Sequence, residues 1–97
     1  MNPEQCRTMA DVRAEIDRID GQIVALLVDR AGYIDRAAEL KPALGLPARI
    51  DERVEEVVAK VCARAMAEGL DPALADALWR RLIDWSIARE EAVIGRG

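Results

Sequence analysis

Apolar residues recur every three to four positions along the first forty residues of the chain. At about 100° per residue these positions share one face of an α-helix. They are Met9, Val12, Ile16, Ile19, Ile23, Leu26, Leu27, Ile34 and Ala37. Thr8, followed three residues later by Asp11, is typical of a helix start, and Pro42 interrupts the pattern. The sequence therefore predicts a first helix over residues 8–41.

Two shorter amphipathic helices are predicted after it. The segment from Pro42 to Pro47 contains two prolines and a glycine and is typical of a loop. A second helix over residues 49–68 is indicated by apolar positions on one face and ends at Gly69. Asp71 and Pro72 are typical of the start of a third helix, over residues 72–94. We expect an all-α fold in a single domain spanning residues 1–97.

The lengths and faces of these helices predict an assembly of two chains. A first helix of thirty-odd residues spans roughly 50 Å, which is too long for a compact domain of this size, so we expect it to pack along a second subunit. The third helix is apolar on two sides, so it is expected to be buried on most of its surface. The apolar residues of this helix form two stripes along its length. The first stripe consists of Leu74, Leu78, Leu82, Trp85 and Val93, and the second consists of Trp79, Ile83, Ile87 and Ile94.

Composition excludes several classes of function. The net charge is −4, and basic residues are spread among acidic ones, which argues against nucleic-acid or anionic-membrane binding. There is neither an export signal nor an apolar run of about 20 residues, so the cytoplasm is the expected location. The chain has no histidine, and Cys6 and Cys62 are far apart, so neither a metal site nor a metal cofactor is expected.

Three charged residues lie on predicted apolar stripes. Arg30 and Lys41 are on the stripe of the first helix, and Glu90 is on the second stripe of the third helix, one turn from Ser86. A cation in an apolar setting requires an anion, which can be a protein carboxylate or a ligand. Burial also favours the neutral form of a carboxyl group, which donates a hydrogen bond. If Glu90 is neutral, the positive charges of Arg30 and Lys41 are left without a compensating charge, which suits a small anionic ligand.

Three segments and one lysine together resemble a known family. They are VRAEIDRIDGQIVALLVDR with Lys41 after it, DERV, and GLDPALADALWRRLIDWSIARE. In order and spacing, from about residue 11 to residue 91, they resemble the all-helical class of chorismate mutases, including the closely related isochorismate pyruvate lyases. The resemblance implies an intertwined homodimer of three-helix protomers that binds a small dicarboxylate. Each of its two active sites would be completed by an arginine from the partner's long helix.

The resemblance also implies a set of site residues. The catalytic residues would be Arg13, Arg30, Lys41 and Glu90, and the substrate-binding residues would be Arg53 and Ser86. Arg13, donated across the interface, and Arg30 would clamp the two carboxylates, because a guanidinium matches their geometry. Lys41 and a neutral Glu90 would donate to the ether oxygen of chorismate. Its rearrangement to prephenate is a concerted [3,3] reaction that needs no cofactor.

Three functions remain open at this stage. Chorismate mutase activity, in the shikimate pathway to the aromatic amino acids, is the main prediction, and Ser86 and the loop length before Arg53 follow the mutase pattern. Isochorismate pyruvate lyase activity, giving salicylate and pyruvate, is the alternative. It is favoured by the segments PEQC and RIDGQIV. Val54, where many mutases have Glu, and Glu90, where many have Gln, leave the choice between the two activities open. The third is a catalytically weak helical partner of a shikimate-pathway enzyme.

Overall fold

Three α-helices joined by short turns make up most of the chain. The computed structural model describes residues 1–95. In chain order they form a 3-10 turn (Pro3–Gln5), α1 (Met9–Leu40), a second 3-10 turn (Pro42–Leu44), α2 (Asp51–Glu68) and α3 (Pro72–Ile94). No residue among these 95 lies in a β-strand, and the all-α prediction is confirmed. The second helix begins two residues later than predicted, because Ile50 has an extended backbone and serves as the N-cap.

The helix ends use the side chains that the sequence indicated. At the start of α1 the Asp11 backbone N–H donates to Thr8 Oγ1 at 3.1 Å, and the Thr8 N–H donates back to Asp11 Oδ2 at 3.3 Å. Asp71 Oδ1 accepts from the Ala73 N–H at 2.9 Å and caps α3. Gly69, with φ of 82°, closes α2 in the left-handed conformation that glycine adopts at little cost.

The chain divides into two compact units, of which the first is Met1–Gly32. This unit holds the N-terminal 3-10 turn and most of α1, and none of its residues is buried. Its apolar face is exposed along its length, at Met9, Ile16, Ile19, Ile23, Leu26 and Leu27. A continuous exposed apolar face is typical of a helix that packs against another chain.

The second unit begins at Tyr33, and its core lies between α2 and α3. The buried core residues are Ala48, Val58, Ile83 and Ile87, with Val54, Val57, Cys62 and Ile94 packed around them. On the surface the Arg80 guanidinium donates to both carboxylate oxygens of Glu55, each at 3.1 Å, and joins the same two helices. These hydrogen bonds lower the pKa of Glu55 below its usual value. The helix pair is therefore held by both its core and its surface.

In the single chain α3 is buried along one stripe, whereas the sequence indicated burial on most sides. Ile83 and Ile87 of the second stripe are buried. Leu74, Leu78, Trp85 and Val93 of the first stripe are exposed. The reason is that α2 packs against the second stripe and builds the core there. None of the helices described in residues 1–95 combines the length and the apolar character needed to cross a bilayer.

Candidate active site

Lys41 and Glu90 form a buried charge pair in the second unit. Lys41 directly follows the last residue of α1, and Glu90 lies near the end of α3. Lys41 Nζ is 2.7 Å from Glu90 Oε1, and the two side chains are 17% and 5% exposed. Ion pairs in such an environment are screened little by solvent. The structure thus brings together two charged residues that the sequence had placed on separate apolar stripes.

The loop after α1 supplies a second partner for Lys41. Lys41 Nζ donates to the carbonyl oxygen of Ala48 at 2.8 Å. The chain turns back toward Lys41 because Gly45 adopts the left-handed conformation, with φ of 69°, and because the Leu44 and Leu46 N–H groups both donate to the Lys41 carbonyl at 3.0 Å. The ammonium group is therefore held between a backbone carbonyl and a carboxylate, which fixes its direction.

The Glu90 carboxyl group is the more unusual member of the pair. Its Oε1 is buried and close to Lys41 Nζ, yet no donor in the described residues is aligned with it for a hydrogen bond. The contact is thus one of charge. A buried carboxylate oxygen without a hydrogen bond is unfavourable, and a proton on the group would turn it into a donor.

Ser86 lies on the same buried side of α3. It is 3% exposed and one helical turn before Glu90. Its Oγ donates to the Leu82 carbonyl oxygen at 2.8 Å. This back-bond to the preceding turn fixes the hydroxyl on the buried stripe.

The three arginines of the predicted site lie outside the buried pair. Arg53, in the first turn of α2, is exposed and pairs with Glu56, which lowers the pKa of that carboxyl. Arg13 is exposed and Arg30 is partly buried, and both belong to the first unit. The structure therefore places Lys41 and Glu90 in contact, while the roles of Arg13, Arg30 and Arg53 stay predictions.

A second charge pair, next to Glu90, was not indicated by the sequence. Arg89 Nε donates to Asp35 Oδ1 at 2.5 Å and Arg89 Nη2 donates to Asp35 Oδ2 at 3.0 Å, which joins α3 to the end of α1. These hydrogen bonds lower the pKa of Asp35. The Arg89 guanidinium also lies over the ring of Trp85, 5.3 Å from its centroid. In the sequence Asp35 and Arg89 resemble ordinary surface residues, and only the packing of α1 on α3 brings them together.

An apolar groove of about 410 Å³ lies at the other end of the α2 and α3 pair. Its lining combines apolar and charged side chains: Val61, Ala65, Leu70, Ala75 and Trp79, with Lys60, Arg64 and Glu68. It contains none of the predicted site residues. In the described part of the chain no three Cys, Asp or Glu side chains are arranged to hold a metal ion.

The part of the chain that contains these residues matches a known protein family. The family model for chorismate mutase type II matches residues 12–91. The chain belongs to this family. The match covers every residue of the predicted site, from Arg13 to Glu90, and confirms the resemblance identified from the sequence. It is an enzyme family, so the Lys41 and Glu90 pair is interpreted below as part of an active site.

One curated relative of the chain is the isochorismate pyruvate lyase of Pseudomonas aeruginosa. It is 36% identical to this chain over 89 residues, which are 91% of this chain and 86% of the relative. The likeness therefore extends over nearly all of both proteins.

Proposed function

We propose that this protein is a chorismate mutase that converts chorismate to prephenate, a step toward the aromatic amino acids. The observation that supports this most directly is the buried pair of Lys41 and Glu90 within the stretch matched by the family. In the rearrangement the ether C–O bond breaks while a C–C bond forms, and negative charge develops on the ether oxygen. An enzyme needs only to hold the compact conformer and stabilise that charge.

Lys41 is the proposed main donor to the ether oxygen. Its ammonium is held by the Ala48 carbonyl at 2.8 Å and has little exposure to solvent. A cation fixed in this way stabilises developing charge without reorganising during the reaction. Glu90 is the proposed second donor, and it acts only in its protonated form.

The substrate carboxylates are assigned to arginines from two chains. We propose a homodimer in which Arg13 of one protomer and Arg30 of the other clamp the two carboxylates. Arg53 would order the pocket and Ser86 would contact a carboxylate. The exposed apolar face of residues 9–27 supports a second copy as the partner, since an apolar face of this length is typical of a helix that packs against another chain.

Isochorismate pyruvate lyase activity is the second candidate. Two observations favour it: the 36% identical relative bears that name, and Val54 packs against the core where many mutases have a glutamate for the substrate hydroxyl. Chorismate and isochorismate differ in the position of this hydroxyl. A pocket that stabilises a compact enolpyruvyl conformer can serve both pericyclic reactions.

The decisive experiment offers each substrate separately to the purified protein. We expect prephenate from chorismate, with kcat/KM at least about tenfold higher than for salicylate and pyruvate formation from isochorismate. The reverse ratio would establish the lyase. Turnover of neither substrate would contradict both activities and favour a helical partner of another enzyme.

Glu90 gives a prediction on a single substitution. Only a protonated Glu90 donates to the ether oxygen, whereas the amide of a Glu90→Gln variant always carries a donor. We therefore expect Glu90→Gln to keep kcat/KM for chorismate at or above the parent value. Steady-state kinetics of both proteins in the same buffer are the measurement, with Glu91→Gln, which changes the neighbouring acid, as the control. A loss of about tenfold or more in Glu90→Gln alone would contradict the donor role of Glu90.

A further inference from the structure

Polar contacts join the end of α1 to α3. Ala38 is the one buried residue of α1, so this helix contributes little apolar packing to the second unit. Two charge pairs connect this region to α3: Asp35 of α1 pairs with Arg89, and Lys41, the residue after α1, pairs with Glu90. Arg89 and Glu90 are neighbours in α3. The distance between Lys41 and Glu90 therefore depends on the position and rotation of α3 relative to the end of α1.

The contacts of Arg89 are suited to fixing the position of α3 relative to the end of α1. Both carboxylate oxygens of Asp35 accept from the same guanidinium, at 2.5 and 3.0 Å. A bidentate pair of this kind restricts orientation as well as distance. The guanidinium also lies over the ring of Trp85, one turn earlier in α3, at a distance that allows a cation–π contact on one of its faces. The hydrogen bonds from Arg89 lower the pKa of Asp35, which shows that they favour its charged form.

We propose that Asp35 and Arg89 are a positioning pair that sets Glu90 against Lys41 in the working active site. The proposal rests on the proposed function only in that the site must turn over one of the two substrates. Neither residue is assigned a contact with the substrate. Their effect is on the position of the two donors, and misplacement of catalytic groups by about 1 Å slows the chemical step.

Charge reversal tests this role. Asp35→Arg and Arg89→Asp each place like charges opposite one another, and we expect each to lower kcat by about tenfold with KM changed by less than about threefold. The double variant, Asp35→Arg with Arg89→Asp, restores an opposite-charge pair and should bring kcat back to within about threefold of the parent. The melting temperature of each single variant should differ from that of the parent by only about 3 °C, because the Asp35 and Arg89 side chains are exposed.

The Arg80 and Glu55 pair provides a matched control. It is also bidentate, also joins α3 to another helix, and is exposed to a similar degree. We expect Arg80→Asp to keep kcat within about twofold of the parent while shifting the melting temperature as much as Arg89→Asp does. Equal losses of kcat in Arg80→Asp and Arg89→Asp, or no recovery in the double variant, would overturn the positioning role.

A crystal structure of Arg89→Asp separates this proposal from the proposed function. We expect the Lys41 Nζ to Glu90 Oε1 distance to lengthen from 2.7 Å to beyond hydrogen-bonding range. An unchanged distance would contradict the positioning role whatever the activity of the parent. If the parent turns over neither chorismate nor isochorismate, the proposed function fails, and the measured distance still decides the structural claim.

Discussion

Replacement of Lys41 by methionine is expected to lower kcat/KM for chorismate by about 10²- to 10³-fold. Removing one preorganised donor to a developing oxyanion has an effect of this size. Methionine keeps the length and apolar stem of lysine but has no charge and no donor, so it leaves the space beside Ala48 filled. The loss should appear mainly in kcat, because the ether oxygen gains its charge only in the transition state.

Lys60→Met is the matched control for this measurement. Lys60 is an exposed lysine of α2 that pairs with Glu56 at 3.4 Å, and it lies outside the candidate site. We expect its kcat/KM to stay within about twofold of the parent. Circular dichroism should show that both variants keep their helix content. A folded Lys41→Met protein with kcat within about fivefold of the parent would contradict the role of Lys41 as the main donor.

Arg13→Ala and Arg30→Ala are each expected to be nearly inactive alone and to recover activity when mixed. In the proposed dimer each site takes Arg13 from one chain and Arg30 from the other. A heterodimer of the two variants therefore has one site that lacks both arginines and one site that is intact. With random pairing, half of the dimers are heterodimers with one intact site of two, so about a quarter of the parent activity should return.

The experiment is done by unfolding the two variants together and refolding them, with each variant refolded alone as the control. Light scattering measured on the same samples gives the mass of the assembly. Recovery near a quarter supports donation of Arg13 across the interface. If a dimer forms and no activity returns, Arg13 and Arg30 serve a site from the same chain. A protein with the mass of one chain would remove the basis for a shared site.

Helix ends could be predicted closely because their signals are local. Thr8 and Asp11 bond to each other's backbone across a single turn, and Asp71 caps α3 in the same way. Gly69 ends α2 through its own backbone conformation. None of these interactions depends on the rest of the molecule, so the residue types and their spacing were sufficient.

The candidate site could be predicted only in part. Periodicity placed Lys41 and Glu90 on apolar stripes, since a charge on such a stripe is visible from one helix alone. It could not show that the two would be paired, because that distance depends on the packing of α1 against α3. The Ala48 carbonyl was missed for a related reason: a backbone acceptor has no residue type that identifies it.

By itself, the sequence determined three helices, their ends, and the faces on which apolar and charged residues lie. The tertiary structure decided which stripe of α3 is buried, because only one of its two apolar stripes faces α2. It also decided that Lys41 contacts Glu90 and that Asp35 pairs with Arg89. The physical reason is the distance along the chain over which each interaction acts. Capping and periodicity depend on residues that are close in sequence. The contacts between helices depend on how the whole second unit packs.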